Sequence, residues 1–199
     1  MKKDFSAELS EAFDALKARG NITMGDIIDI HGPSALGAIL TVLSIPALLP
    51  STGIPIGTVM SLGMFAVAMS MMMGVDHVKL PQKLSSMALS DKTAQILMDK
   101  LLGFYRFCER WSDVRMEFLV DHRARQFLSI VVFILAAIIF MPVPMGNTAP
   151  AFALLLLGPA LLLRDGLLVL ISLFFSVIAL IITYFILSAG MWAVTSLIN

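Results

Sequence analysis

Residues 141 to 166 read MPVPMGNTAPAFALLLLGPALLLRDG, and this stretch decides how the chain folds. Two apolar segments meet in its first part at a set of helix-breaking residues, namely Pro142, Pro144, Gly146 and Pro150. Proline removes a backbone donor, and glycine permits the dihedral angles that a break needs. Asn147 and Thr148 offer side-chain oxygens that can cap a new helix at about Pro150. Because backbone groups freed by a break must face protein or water rather than lipid, this stretch is the first candidate for a site.

A similar break lies earlier in the chain, between Pro46 and Pro55. Pro142 follows Pro46 by 96 residues, and Pro150 follows Pro55 by 95. Each break has one apolar segment before it and another after it. Two interpretations fit this pattern. The breaks belong either to a duplicated, transporter-like core whose half-helices meet near the membrane middle, or to two plain hairpins with proline turns at the membrane surface.

The composition is that of an integral membrane protein. Of the 199 residues, 58% are hydrophobic and only 14% are charged, whereas a soluble domain carries about 25% charged residues. The formal net charge is zero, which argues against a nucleic-acid partner because such proteins show a basic face. The lipid bilayer is therefore the expected partner of the chain.

The fold class that we predict is an all-α integral membrane protein. It has two similar halves with Pro/Gly-broken, re-entrant or hairpin helices, together with amphipathic interfacial helices. Within the single domain 1–199 we distinguish five consecutive segments. These are amphipathic N-terminal helices (1–32), a first helix pair (33–75), a polar and amphipathic segment (76–125), a second helix pair (126–163) and a C-terminal transmembrane helix (166–198).

The end of the first segment carries titratable residues just before the first apolar run. Thr23 and Asp26 have the spacing of a capping box, and Asp29 and His31 follow. One interpretation is a capped interfacial helix with solvated acids. The other is a proton- or cation-sensing mouth formed by Asp26, Asp29 and His31, since histidine titrates near neutral pH.

The middle segment, 76–125, predicts an amphipathic helix on the membrane surface. A helix capped by Ser90 or Asp91 places apolar side chains at helical spacing, namely Leu97, Leu101, Phe104, Cys108 and Trp111. Of the 14 Lys and Arg residues, nine lie in this segment and four in residues 1–20. The positive-inside rule therefore places the N-terminus and residues 76–125 in the cytoplasm.

Arg164 and Asp165 stand between two apolar runs and leave two alternatives open. They form either a polar turn that anchors helix ends at the headgroups, or a buried pair that faces a cavity. Residues 167 to 187 then give 21 uncharged residues, the clearest transmembrane span of the chain.

The two motifs around these residues resemble the signature of the ExoD family. The similarity lies in Pro142-x-Pro144-x-Gly146-Asn147-Thr148-x-Pro150-Ala151, followed by an apolar run and Arg164-Asp165-Gly166-Leu167. It extends from about Leu9 to Leu187. The resemblance implies a bacterial inner-membrane protein associated with exopolysaccharide synthesis, and it implies no defined reaction.

Three functions are compatible with these observations. The first is a small transporter or channel-like protein for an ion or small polar solute, acting as a homodimer. The second is a non-catalytic accessory subunit that docks polysaccharide-synthesis proteins. The third is a membrane enzyme acting on a lipid-linked sugar, which is the least favoured because the chain has no nucleophile elbow, phosphate loop or His/Cys metal spacing.

We therefore predict no catalytic residue, no metal ligand and no cofactor. The residues expected along a solute pathway are those of the two breaks and the adjacent charged pair: Pro46, Pro50, Ser51, Thr52, Gly53, Pro55, Pro142, Pro144, Gly146, Asn147, Thr148, Pro150, Arg164 and Asp165.

Overall fold

A computed structural model confirms the predicted all-helical fold for the residues that it describes. These are residues 5–32, 35–48, 56–75, 86, 88, 90–112, 115–141 and 146–198. No strand occurs among them, and Thr23 and Ala88 form one isolated antiparallel bridge.

Eight α-helices follow one another in this part of the chain. They are α1 (Phe5–Arg19), α2 (Met24–Asp29), α3 (Ala35–Ala47), α4 (Ile56–Met72), α5 (Asp91–Trp111), α6 (His122–Phe140), α7 (Thr148–Leu163) and α8 (Gly166–Ile198). A short 3₁₀ turn, Glu117–Leu119, precedes α6.

The helices of the first half pack against those of the second half. Helix α3 runs antiparallel to α7, and α4 runs antiparallel to α6. The rings of Phe65 and Phe133 illustrate the second pair, with centroids 5.0 Å apart. Helix α8 folds back along α7, where the Ser172 hydroxyl donates to the Ala153 carbonyl over 2.9 Å. The two helix pairs are thus interleaved rather than side by side.

Helices α3 and α7 approach so closely that their backbones touch. A Cβ atom added to Gly158 would lie 2.7 Å from the Gly37 carbonyl oxygen and 2.9 Å from the Thr41 nitrogen. A Cβ atom added to Gly37 would lie 2.5 Å from the Gly158 carbonyl oxygen. Only glycine fits on both sides, and small residues at helix crossings permit this kind of approach in lipid.

Helix α7 is the central element of the bundle. Its side chains are buried along most of its length: Pro150, Ala151, Ala153, Leu154, Leu157, Gly158, Pro159, Ala160, Leu161 and Leu162. It contacts α3, α6 and α8, so its apolar sequence needs no polar face.

The outer faces of α4, α6 and α8 expose large apolar side chains, including Leu62, Phe127 and Phe174. From Tyr184 onward α8 extends beyond the bundle and is exposed on nearly every side, with Trp192 74% exposed. In the part of the chain that the structure describes, two helices are suited by length and composition to cross a membrane: His122–Phe140 and the first 27 residues of α8, Gly166–Trp192.

A second apolar cluster joins α1, α2 and α5 into a layer that we call the cap. Its core includes Leu9 and Phe13 of α1 and Met98 and Tyr105 of α5, and it continues into the bundle through Leu162 of α7. The cap therefore lies at the end of the bundle where α7 finishes.

Helix α5 is amphipathic as predicted, but protein covers its apolar face. The buried side chains are Ala94, Met98, Leu101, Leu102 and Tyr105. Of the predicted stripe, Leu97 and Phe104 are only partly buried. The sequence predicts that lipid covers the apolar face of α5, whereas protein covers it in the structure. The reason is that α1 supplies apolar side chains of its own, so α1 and α5 pack together.

A carboxylate on α5 holds the beginning of α1. Glu109 accepts a hydrogen bond from the Ser6 backbone nitrogen over 2.9 Å and another from the Ser6 hydroxyl over 2.6 Å. The first turn of a helix has free N–H groups and a partial positive charge, which a carboxylate satisfies.

We expect Gly158→Ala to destabilise the protein by about 1–3 kcal/mol, because a methyl group would overlap the backbone of α3. Thermal unfolding in detergent, followed by tryptophan fluorescence, measures this change. The matched control is Gly103→Ala in α5, where an added Cβ meets no atom within 4 Å. This control should be neutral or stabilising by up to about 1 kcal/mol. Equal unfolding temperatures for the two variants would contradict the backbone contact.

Candidate functional site

The described ends of the two breaks meet at one place. Asn147 precedes α7 and is 3% exposed. Its side-chain amide lies against Gly57 at the beginning of α4, where an added Cβ would be 2.5 Å from Asn147 Nδ2. The same Cβ would be 3.3 Å from Ile139 near the end of α6. The ends of α4, α6 and α7 thus form a single cluster, which we call the tip cluster.

Two threonines bind across the tip cluster in the same way. The Thr58 hydroxyl of α4 donates to the Phe140 carbonyl at the end of α6 over 3.3 Å. The Thr148 hydroxyl of α7 donates to the Leu48 carbonyl just after α3 over 3.4 Å. The two bonds are equivalent. In each case a threonine at the beginning of one half's second helix (α4 or α7) donates to a carbonyl at the end of the other half's first helix (α6 or α3). These carbonyls lack helical partners because the chain breaks there.

The tip cluster brings together the beginnings of two helices, α4 and α7. Their first N–H groups lack intrahelical acceptors, and the helix dipoles place partial positive charge there. Asn147 stands at the N-cap position as the sequence suggests, yet its side chain makes no capping bond to α7. The amide packs on Gly57 instead, because that glycine leaves room for it.

The structure distributes the remaining break residues as follows. Gly146 and Pro150 are buried, and Pro150 is the third residue of α7, where a proline is tolerated because that N–H has no helical partner. Pro46 lies inside the last turn of α3 rather than after it. The other predicted pathway residues lie outside the described part of the chain: Pro50, Ser51, Thr52, Gly53, Pro55, Pro142 and Pro144.

Arg164 and Asp165 do not join the tip cluster. They follow the far end of α7, whose 16 residues separate them from Thr148 by about 24 Å. Arg164 is exposed and adopts a left-handed conformation with φ of 55°. Asp165 is 1% exposed, and its Oδ1 atom accepts from the backbone nitrogens of Leu167 at 2.9 Å and Leu168 at 3.4 Å. Asp165 is therefore the cap of α8.

Gly166 completes this turn by a close contact that the sequence pattern did not reveal. Its backbone nitrogen donates to the Arg115 carbonyl over 2.8 Å. An added Cβ would lie 2.5 Å from the Met116 carbonyl oxygen. The Arg-Asp-Gly motif thus ends α7, caps α8 and fixes the residues that precede α6.

The three residues of the predicted mouth have separate environments. Asp26 and Thr23 form a reciprocal capping box, with the Thr23 nitrogen 2.8 Å and its hydroxyl 2.6 Å from Asp26 Oδ2. The hydrogen bond from the Thr23 side chain, reinforced by the one from its backbone, lowers the pKa of Asp26. Asp29 is exposed. Asp26 therefore acts as a helix cap.

His31 is enclosed by the cap and is 4% exposed. Its Nδ1 atom lies 2.7 Å from the Ile27 carbonyl oxygen, and its Nε2 atom lies 3.5 Å from the Tyr105 hydroxyl. The rings of Phe5 and Tyr105 pack against it. Burial lowers the pKa of His31, although the hydrogen bond to Ile27 opposes this effect. The partner Tyr105, 74 residues away, gave no signal in the sequence.

Comparison with known proteins places this structure in a family. The model of the family described as "Exopolysaccharide synthesis, ExoD" matches residues 5–185. The chain belongs to the ExoD family. An uncharacterised protein of Synechocystis sp. is 26% identical to this ExoD protein over 174 residues, which cover 87% of this chain and 82% of that relative. No solved structure matches the chain.

We expect Asp165→Ala to destabilise this ExoD protein by about 1 kcal/mol, because α8 loses its cap. Asp165→Asn should retain most of the stability, since an asparagine side-chain oxygen also accepts from the backbone. Thermal unfolding in detergent distinguishes the two variants. If Asp165→Asn were as destabilising as Asp165→Ala, the carboxylate charge rather than the cap would be the important property.

We expect the docking of α1 to weaken in mildly acidic solution. The buried ring of His31 favours its neutral form, so its folded pKa lies below the ordinary 6.5. Its contribution to stability is complete above about pH 6.5 and is lost as the pH falls below that value. The corresponding loss for Asp26 begins only near its ordinary value of 3.8, because its pKa is also lowered.

Hydrogen exchange of the α1 amides, corrected for intrinsic rates, measures this effect between about pH 7.5 and pH 5.5. The wild type should lose protection across this range, and His31→Phe should not. Equal losses in both proteins would show that another group controls the docking of α1.

Proposed function

We propose that this ExoD protein is a small membrane transporter or channel-like protein for an ion or small polar solute. Its pathway passes the tip cluster. The observation that carries the proposal is the pair of threonine hydrogen bonds, from Thr58 to Phe140 and from Thr148 to Leu48, where four helix ends converge. Polar backbone groups at such a convergence need protein or water around them.

The proposed arrangement in the bacterial inner membrane is multi-pass. Both pairs, α3 with α4 and α6 with α7, enter and return from the cytoplasmic side, where the cap and the N-terminus lie. Two features support this orientation: the tip cluster and the cap lie at opposite ends of α7, and most Lys and Arg residues fall in the N-terminal segment and in 76–125.

The lengths of α3 and α7 support re-entrant pairs over plain surface hairpins, whereas α6, with 19 residues, is long enough to cross by itself. Helix α3 has 13 residues and α7 has 16, so they measure about 20 Å and 24 Å, whereas the hydrocarbon core is about 30 Å thick. Helix α8 has 33 residues and extends well past the tip cluster. In this proposal α8 spans the bilayer and the tip cluster lies within it.

The proposal relates the two halves by an approximate two-fold axis through the tip cluster. Exchanging α3 with α6 and α4 with α7 maps each interleaved pair onto the other. Thr58 then corresponds to Thr148, and Leu48 to Phe140. Because both halves enter from the same side, the axis runs along the membrane normal, as it does for parallel repeats. This relation aligns Thr58 with Thr148, which lie 90 residues apart. Alignment of the prolines in the two breaks would instead give a shift of 95 or 96 residues.

The proposal includes a homodimer and assigns no catalytic residue. The exposed apolar surface of α8 beyond Tyr184 offers a second copy a place to pack.

Flux through proteoliposomes tests the proposal. With Cys108→Ser as background, Thr148→Cys is compared with Ser188→Cys, which is an exposed position of α8 away from the tip cluster. Potassium, proton and chloride fluxes are recorded before and after treatment with a small thiol reagent. We expect the reagent to inhibit flux of one of these ions roughly tenfold or more through Thr148→Cys and to leave Ser188→Cys unchanged.

Equal inhibition of both variants would contradict the proposed pathway. Absence of flux for all three ions would exclude them as the transported species, and absence of flux for small polar solutes as well would contradict the proposal. The accessory-subunit function would then be preferred, because the family description names exopolysaccharide synthesis. Co-purification of the intact protein with glycosyltransferases from native membranes distinguishes that alternative.

A further inference from the structure

The outward side of α6 carries an apolar stripe that begins with an arginine. Its members, at helical spacings of four, three and four residues, are Arg123, Phe127, Ile130 and Ile134. These spacings place all four side chains on one side of the helix, and all four are exposed, with Phe127 at 73%. Val132 lies on the opposite side and is fully buried in the bundle. The stripe, which we call the α6 stripe, therefore points away from the protein.

The bilayer is the expected cover of the α6 stripe. Helix α6 has 19 residues, and its length and composition suit a membrane crossing. The sequence has no charged residue between Arg125 and Arg164, so the charge of Arg123 lies at the very beginning of this apolar surface. An arginine in such a position keeps its stem on apolar surface and extends its guanidinium toward the headgroups.

Helix α4 marks the same boundary independently. Its outward apolar side chains end with Met73, which is 70% exposed. Gln126 in the second turn of α6 donates from Nε2 to the Met72 carbonyl over 3.5 Å. Gly74 follows directly, and a Cβ added to it would overlap the ring of His122. The outward apolar surfaces of α4 and α6 thus end at one level, which is the level of the arginine.

The charges near this level leave the α6 stripe basic. Helix α6 contains no acid. The exposed acids that precede it are Glu117 in the 3₁₀ turn and Asp121 at the N-cap position. Arg125 lies on the other side of the helix, where its Nε atom donates to the Val120 carbonyl over 3.1 Å. The base in line with the apolar side chains of the stripe is therefore Arg123.

We propose that Arg123 binds the phosphate of an anionic phospholipid whose acyl chain lies along the α6 stripe at Phe127. The guanidinium presents N–H donors in a planar fork that matches phosphate oxygens. Its charge favours a lipid with a net negative headgroup over a zwitterionic one. In the orientation proposed above, this lipid belongs to the cytoplasmic leaflet. The site requires a bilayer around α6, but it does not depend on solute transport.

Tryptophan quenching in proteoliposomes tests this lipid site. The full chain carries Phe127→Trp as the reporter, with both native tryptophans replaced by Trp111→Phe and Trp192→Phe. The vesicles contain equal parts phosphatidylglycerol and phosphatidylcholine, and one or the other lipid has brominated acyl chains. Comparison of the two quenching levels gives the relative occupancy of the α6 stripe by the two lipids. We expect a preference of roughly fivefold for phosphatidylglycerol.

The matched control reporter is Phe140→Trp at the other end of α6, where Phe140 is 45% exposed. It should show no preference, because the sequence has no charged residue from 126 to 163. At position 127, Arg123→Gln should remove the preference, and Arg123→Lys should retain part of it. Arg106→Gln, which removes an exposed base of α5, should leave the preference unchanged.

Three outcomes would overturn the lipid site. The first is equal quenching of the Phe127→Trp reporter by the two brominated lipids. The second is a preference that persists in Arg123→Gln or that is equally strong for the Phe140→Trp reporter. The third is quenching of the Phe140→Trp reporter without quenching of Phe127→Trp by either lipid, since protein from another copy would then cover this end of the α6 stripe.

Discussion

The backbone contact between Gly37 and Gly158 is the constraint on which the rest of the structure depends. It lets α3 and α7 approach without intervening side chains, so a helix of each half becomes the partner of a helix from the other half. The short α3 can then place Leu48 next to Thr148. A wider separation of these helices would separate the two halves and with them the ends of α4 and α6.

Much of the helical architecture follows from local sequence. The apolar runs, the proline-rich breaks and the polar turn at Arg164 and Asp165 predict most of the helices, because each depends on neighbouring residues. The interleaving of the halves was not predictable, since it arises from contacts between residues that lie roughly 80 to 120 positions apart, such as Thr58 with Phe140 and Gly37 with Gly158. Of the residues predicted for the site, Asn147 and Thr148 lie in the tip cluster. Thr58 was not predicted, because only its contact with Phe140 in the structure reveals it.

The titratable side chains of the bundle and the cap have two kinds of environment. Asp165 and Asp26 satisfy helix N-termini, and Glu109 binds the start of α1 from another helix. His31 is instead enclosed with Tyr105 and Phe5. The cap is therefore held by an apolar cluster together with these polar contacts, of which the contact of His31 responds to pH, whereas the bundle is held by close packing of small and apolar side chains.

The depth of the tip cluster in the bilayer tests the account most directly. Spin labels on Leu170, Val177 and Tyr184 of α8, three exposed positions, provide a depth scale from their collisions with oxygen and with a water-soluble nickel complex. A label at Thr148 should lie within the hydrocarbon region on this scale and still collide with the nickel complex more than α8 labels of equal depth. A label at Thr148 that reports headgroup depth would contradict the account, because the breaks would then be surface turns.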